Sequence, residues 1–212
     1  MPKKRGGRGA RERILKATVE LFARDGIHAT GVAKVTEVAQ VSMRTLYQHF
    51  PSKEALVGAY LARLESDPNG PAEIETVLTR GDLDPRDRLI ALFAEPAEPA
   101  EPAESGAPAG DAAAGSVVRG CPFHNTAVEA AGAMPDAAAF VERHKRELTA
   151  NLIATAEAAG ADDPERLGRR LAVLFEGARA LATSLNDPYP FEDARHLAVT
   201  LIDDAIGAGA SG

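Results

Sequence analysis

Apolar positions recur along this chain at the three- and four-residue steps of α-helices. Ile14, Leu15, Val19, Leu21 and Phe22 mark a first helix from Ala10, and Gly26, just after Arg24 and Asp25, is a C-terminal stop. Val32, Val35, Val38 and Ala39 mark a short second helix starting near Thr30. Ser42 caps a third, in which Leu46 and Phe50 face inward. Ser52 caps a fourth, Lys53 to about Glu65, which Asp67-Pro68-Asn69-Gly70-Pro71 ends. Further helices are predicted over Ala72 to Thr79, Pro85 to Ala94 and Thr126 to Ala133, followed by three longer ones at Asp136 to Ala159, Pro164 to Leu185 and Phe191 to Ile206.

The long helices carry distinct stripes. Val141, His144, Leu148, Leu152, Thr155 and Ala159 share one face of the first, and Leu167, Leu171, Leu174, Ala178, Leu181 and Leu185 one face of the second. In the last helix Ala194, Leu197, Ala198, Leu201, Ile202, Ala205 and Ile206 cover a face too wide for one partner helix, which predicts a homodimer packed through 164–185 and 191–206. Two segments break the helical pattern. Lys3-Lys4-Arg5-Gly6-Gly7-Arg8 predicts a flexible basic arm over 1–9. Glu95 to Ser116 holds Glu-Pro-Ala three times and then an Ala/Gly/Pro tract without a large apolar residue, which predicts a disordered linker at 95–116.

Charge sharpens the division. The net charge of −7 hides two opposite parts: up to Glu65 there are twelve Lys/Arg against six Asp/Glu, and beyond it twelve against twenty-five. A basic module that binds a polyanion, joined to an acidic one, accounts for that asymmetry. The single cysteine, Cys121, excludes an internal disulfide and paired-cysteine zinc sites. No apolar run reaches a membrane span, so a cytoplasmic protein without membrane contact is expected. Motifs of serine hydrolases, zinc proteases and phosphate-binding loops are absent, and His28, His49, His124, His144 and His196 share no metal-ligand spacing. Neither an enzyme nor a resident metal or cofactor is expected.

The informative stretch is Arg11 to Leu56. Two short helices joined around Ala39-Gln40-Val41 form a helix-turn-helix whose second member suits a major groove. An arginine-led first helix with Leu21-Phe22, then Gly26, and the run Thr45-Leu46-Tyr47, Phe50, Lys53 resemble the N-terminal domain of the TetR family. The resemblance implies an all-α fold, with a three-helix helix-turn-helix DNA-binding domain at 10–55 and a helical ligand-binding and dimerisation domain at 56–212. It also implies double-stranded operator DNA and a small-molecule effector as partners. By matching position, Thr30, Ser42, Met43, Arg44, Thr45, Tyr47, Gln48, His49 and Lys53 are the implied DNA-binding residues. Their chemistry agrees: Arg44 can bind guanine O6 and N7, Gln48 an adenine edge and Met43 a thymine methyl, while Tyr47, His49 and Lys53 suit phosphates.

Two positions depart from the family. Gln40 stands where the turn usually has glycine, at a cost of about 1 kcal/mol if its φ is positive. Thr30-Gly31-Val32 offers one hydroxyl where two are common. For the effector, Phe93, Phe123, Met134, Phe140 and Phe175 are the apolar candidates, and His124, Asn125, His144 and Glu176 the polar ones, with Cys121 at the edge. The pattern fits a repressor released from a palindromic operator by a small hydrophobic molecule. A thiol-based redox sensor using Cys121 on the same scaffold is the alternative.

Overall fold

The computed structural model describes residues 8–68, 70, 72–94 and 121–207, and among them it contains helices and no strands. The order is α1 (Arg8–Asp25), α2 (Val32–Val38), α3 (Met43–His49), α4 (Lys53–Ser66), a 3-10 helix (Glu73–Thr79), α5 (Pro85–Ala91), α6 (Pro122–Ala130), α7 (Pro135–Ala158), α8 (Pro164–Leu185) and α9 (Tyr189–Gly207). The chain falls into two compact units, one of residues 1–73 and 121–146, the other of 74–120 and 147–212. The border expected after residue 55 therefore differs from the division that packing makes. Leu56, Val57, Tyr60, Leu61 and Leu64 of α4, and Phe123, Ala130, Ala137 and Val141 further on, belong to the same apolar core as α1 to α3.

In the first unit α1 is the central strut. Ile14, Leu15, Ala17, Leu21 and Phe22 bury one face of it, against which α2, α3 and α4 pack. Each large aliphatic side chain buried here contributes roughly 1.5–3 kcal/mol. Phe22 meets Tyr60 edge to face at 5.2 Å, and burial pushes the Tyr60 phenol up to about 12. Helix ends follow the residues expected of them: Ser42 and Ser52 each accept a backbone amide three residues on, and Gly26, at φ 86°, closes α1 with its amide on the Phe22 carbonyl. Arg8 and Gly9, expected in the arm, belong to α1. Residues 1–7 of the arm and the predicted linker at 95–116 lie outside the described residues.

The second unit is built on α8 and α9, with α5, the 3-10 helix and the later part of α7 around them. Leu89, Leu92, Phe93, Leu152, Leu171, Phe175, Ala198 and Ile202 are among its buried side chains. The segment near Ala72 winds as a 3-10 helix rather than the expected α-helix, and α5 ends at Ala91. The predicted stripe of α8 also turns. Leu167, Leu171, Phe175, Ala178 and Ala182 are buried, whereas Leu181 and Leu185 are exposed, because Phe175 and Ala182 bring the buried face round past them. No described helix is long and apolar enough to cross a membrane.

Helix α8 approaches α7 at Gly168, where an added Cβ would lie 2.5 Å from Ile153 Cγ1 and 2.8 Å from its backbone nitrogen. Alanine improves an exposed helix position by up to about 1 kcal/mol, but here backbone blocks it. Gly168→Ala is expected to destabilise the protein by about 1–3 kcal/mol, the range for an overpacked core, as read from urea unfolding; equal or greater stability would show that the helices can part at no cost.

Candidate nucleic-acid interface

Helix α3 has seven residues, and its two faces differ. Leu46 is fully buried and Phe50, its C-cap, nearly so. The period of 3.6 then turns Met43, Arg44, Tyr47 and Gln48 outward, and all four are exposed. Exposed apolar groups such as Met43 and Tyr47 beside an arginine and an amide form a surface that can meet base edges and thymine methyls. Ser42 and Thr45 have a second role in the fold: Ser42 Oγ accepts the Thr45 amide at 3.1 Å and lies 2.8 Å from Thr45 Oγ1. His49 is half-buried beside Phe50.

Lys53 opens α4, partly covered. Burial lowers its pKa, with the Glu129 carboxylate opposing that shift. The same Glu129, on α6, accepts the His28 amide at 2.6 Å, so the loop between α1 and α2 is tied down by a residue 101 positions away. In a similar way Glu54 of α4 accepts the Asp136 amide at 3.0 Å, at the start of α7. Pairing over such separations leaves no local signal in the sequence.

Thr30 is corrected by the structure. It is buried, and its hydroxyl donates to the Gly26 carbonyl at 2.7 Å, so it braces the α1–α2 loop instead of facing a phosphate. Gly31 is the N-cap of α2, without a side-chain hydrogen bond there.

The turn between α2 and α3 is a Schellman closure. The Val41 amide donates to the Thr36 carbonyl at 3.0 Å and the Gln40 amide to the Glu37 carbonyl at 3.1 Å. That geometry needs a left-handed residue, and Gln40 supplies it at φ 51°. The cost foreseen for a residue other than glycine at this position is therefore present.

The effector candidates fall in both compact units. Cys121, Phe123, Met134 and His144 are buried in the first unit, and Phe140 is half-buried there beneath the Arg143 guanidinium, 4.6 Å from its ring centroid. Phe93 and Phe175 meet edge to face at 5.9 Å in the second unit, where Glu176 is half-buried. His124 and Asn125 are exposed on α6, because Phe123, Thr126 and Ala130 take its inner face. The His144 ring stacks on Phe123 at 3.9 Å and its Nδ1 lies 3.3 Å from Glu65 Oε1, the surroundings of a core histidine. Cys121 is 2% exposed, and its sulfur accepts from Lys145 Nζ at 3.5 Å. Among the described residues no group of His, Cys, Asp or Glu is placed to hold a metal.

A short, capped helix presenting polar and apolar groups outward from a three-helix core, after a tight turn, defines a helix-turn-helix protein. Residues 14–60 match the family model described as bacterial regulatory proteins, tetR family. Curated relatives match over part of the chain: the transcriptional regulator LuxR of Vibrio harveyi is 39% identical over 51 residues, 24% of this chain and 25% of that protein. The transcriptional repressor KstR of Rhodococcus jostii is 39% identical over 75 residues, 35% of this chain and 31% of that protein. The chain thus spans only about a quarter to a third of the length of these two curated relatives. Solved structures match at greater length. A tetR-type transcriptional regulator from Streptomyces avermitilis superposes with a TM-score of 0.68 at 29% identity, over 93% of this chain and 98% of that one. A TetR-family regulator from Streptomyces coelicolor gives 0.69 at 25%, over 93% and 96%. Residues 14–60 are thus a TetR-family DNA-binding region, and the fold over most of the chain is that of solved TetR-type transcriptional regulators, proteins that bind DNA and are not enzymes.

Glycine adopts positive φ freely, so Gln40→Gly is expected to raise stability by up to about 1 kcal/mol without disturbing the fold. Thermal or urea unfolding of the variant checks this, and clear destabilisation would mean that the Gln40 side chain contributes more than its backbone costs.

Proposed function

We propose that this protein is a sequence-specific DNA-binding regulator acting in the cytoplasm as a homodimer, a repressor released from a palindromic operator by a small hydrophobic molecule. The outward row Met43, Arg44, Tyr47 and Gln48, set on a buried Leu46, carries the reading. Arg44 and Gln48 read base edges, Met43 packs on a thymine methyl, and Tyr47, His49 and Lys53 hold phosphates and so fix the register. KstR, called a repressor, supports repression as the sign of control.

An uncovered apolar face supports the dimer. On α8 Val173 is 75% exposed, with Leu181 and Leu185 further along, and on α9 Leu197 is 56% exposed. Gly177, between Val173 and Leu181, has nothing within 4 Å of an added Cβ, so a second helix could approach closely there. A twofold pair presents two copies of α3, which must enter successive major grooves roughly 34–36 Å apart. An effector that binds better to dimers of another spacing lowers operator occupancy by shifting populations, and its differential affinity sets how far. Phe93 and Phe175, which meet edge to face in the second unit, are the apolar contacts proposed for it. Burial of the Cys121 thiol, together with the lack of a second cysteine in the sequence, favours this reading over a thiol-based redox sensor.

Arg44→Ala is expected to weaken binding to a duplex selected by the wild-type protein by about 1–3 kcal/mol and to spare random DNA. Lys53→Ala is expected to weaken both alike and to reduce the salt slope by about one. Fluorescence anisotropy across a salt series separates the two, and equal losses for Arg44→Ala on both duplexes would remove it from base readout. In sedimentation, Leu197→Glu, which disturbs no buried packing, is expected to give monomers at micromolar concentration; a persistent dimer would place the interface elsewhere.

A further inference from the structure

Two arginines near the start of α1 grip the segment that carries the reading surface, at its two ends. Arg11 lies over the Phe50 ring, 5.4 Å from its centroid, at the C-cap of α3. Arg13 donates from Nε to the Ala39 carbonyl at 3.1 Å, and its Nη1 donates to the Gly9 carbonyl at 3.3 Å, within the same helix. Ala39 is buried and is the C-cap of α2. A Schellman closure uses the carbonyls at the second and third positions before the cap, here Glu37 and Thr36, and so leaves the cap carbonyl without a partner from the turn itself. A buried carbonyl of that kind needs a donor, and Arg13 is the donor this carbonyl has. The next residue is Gln40, in the left-handed conformation that side chains rarely adopt, and the one after it, Val41, leads into the N-cap of α3.

We propose that Arg13 is a positioning residue for DNA reading: by holding the Ala39 carbonyl it keeps Gln40 left-handed, and so sets the direction in which α3 leaves the turn. The inference rests on the DNA-reading role proposed above. It explains how a turn with glutamine in the glycine position keeps one conformation. The external hydrogen bond replaces the backbone freedom that glycine would bring, and the exposed Arg13 side chain spends its Nε donor on the Ala39 carbonyl. Arg13 and Gln40 are therefore coupled, and a glycine at position 40 makes the clamp dispensable.

The test uses the full-length protein, with Arg13→Ala, Gln40→Gly and the double variant, against a duplex selected from a random pool by the wild type and against a random duplex. Arg13→Ala is expected to weaken the selected duplex about tenfold or more, as loss of a charged hydrogen bond implies, with little change on random DNA and an unchanged salt slope. Gln40→Gly in the Arg13→Ala background is expected to recover most of that loss. Weakening of both duplexes with a flatter salt slope would make Arg13 a phosphate contact, and unchanged affinity or absence of recovery would likewise overturn the proposal. Amide exchange in the DNA-free protein provides a separate arm: the Val41 amide is expected to lose protection in Arg13→Ala and regain it in the double variant. Unchanged protection overturns the clamp whatever the DNA result. A wild type that selects no sequence would defeat the DNA-reading role, and the exchange arm alone would then decide whether Arg13 holds the turn.

Discussion

A seven-residue helix is too short to persist in water, because nucleation costs more than so few propagated hydrogen bonds return. Helix α3 exists because Leu46 and Phe50 are buried against the core of the first unit, and the features of the proposed reading surface depend on that burial. Once the inner face is set, the helical period decides which side chains point outward. Ser42 then satisfies an amide at one end, and the Arg11 guanidinium covers the Phe50 ring at the other. The surface proposed to meet DNA is in this sense the reverse side of a hydrophobic contact.

The helix-turn-helix region is tied to segments beyond it. Glu129 of α6 holds the His28 amide, and Glu54 of α4 holds the first turn of α7. These are charge-assisted bonds between segments far apart in sequence, and they place α6 and the start of α7 in the same compact unit as α1 to α4. A boundary drawn from the family motif alone stops at α4. Packing carries the unit further because α4 buries five large side chains and because Phe123, Ala130 and Val141 complete the same core.

The second unit follows a different rule. Its helices bury alanines and leucines on one face and leave Val173, Leu181, Leu185 and Leu197 on another, so the amphipathic pattern is satisfied twice, once inside the unit and once outward. An outward apolar face of this extent has a physical use when a second copy covers it.

Local physics made much of this legible in the sequence. The periodicity of Ile14 to Phe22, the caps at Ser42 and Ser52, and the stop at Gly26 are short-range effects, and the helices lie where those residues put them. The set Met43, Arg44, Tyr47 and Gln48 is implied by the family resemblance and agrees with the helical period, and the awkwardness of Gln40 is implied by its departure from the family's glycine. Long-range contacts decided the rest. Thr30 carries a hydroxyl suited to phosphate, and only the fold turns it onto the Gly26 carbonyl. His124 and Asn125 share a helix with buried Phe123, and only packing shows that they lie on its other face. His144 could have met a ligand, and only tertiary structure brings Glu65 and Phe123 to it from 79 and 21 positions away. Arg13 had no distinguishing mark in the sequence, because its partner is a backbone carbonyl 26 residues on, and a backbone carbonyl looks the same at every position until the chain has folded.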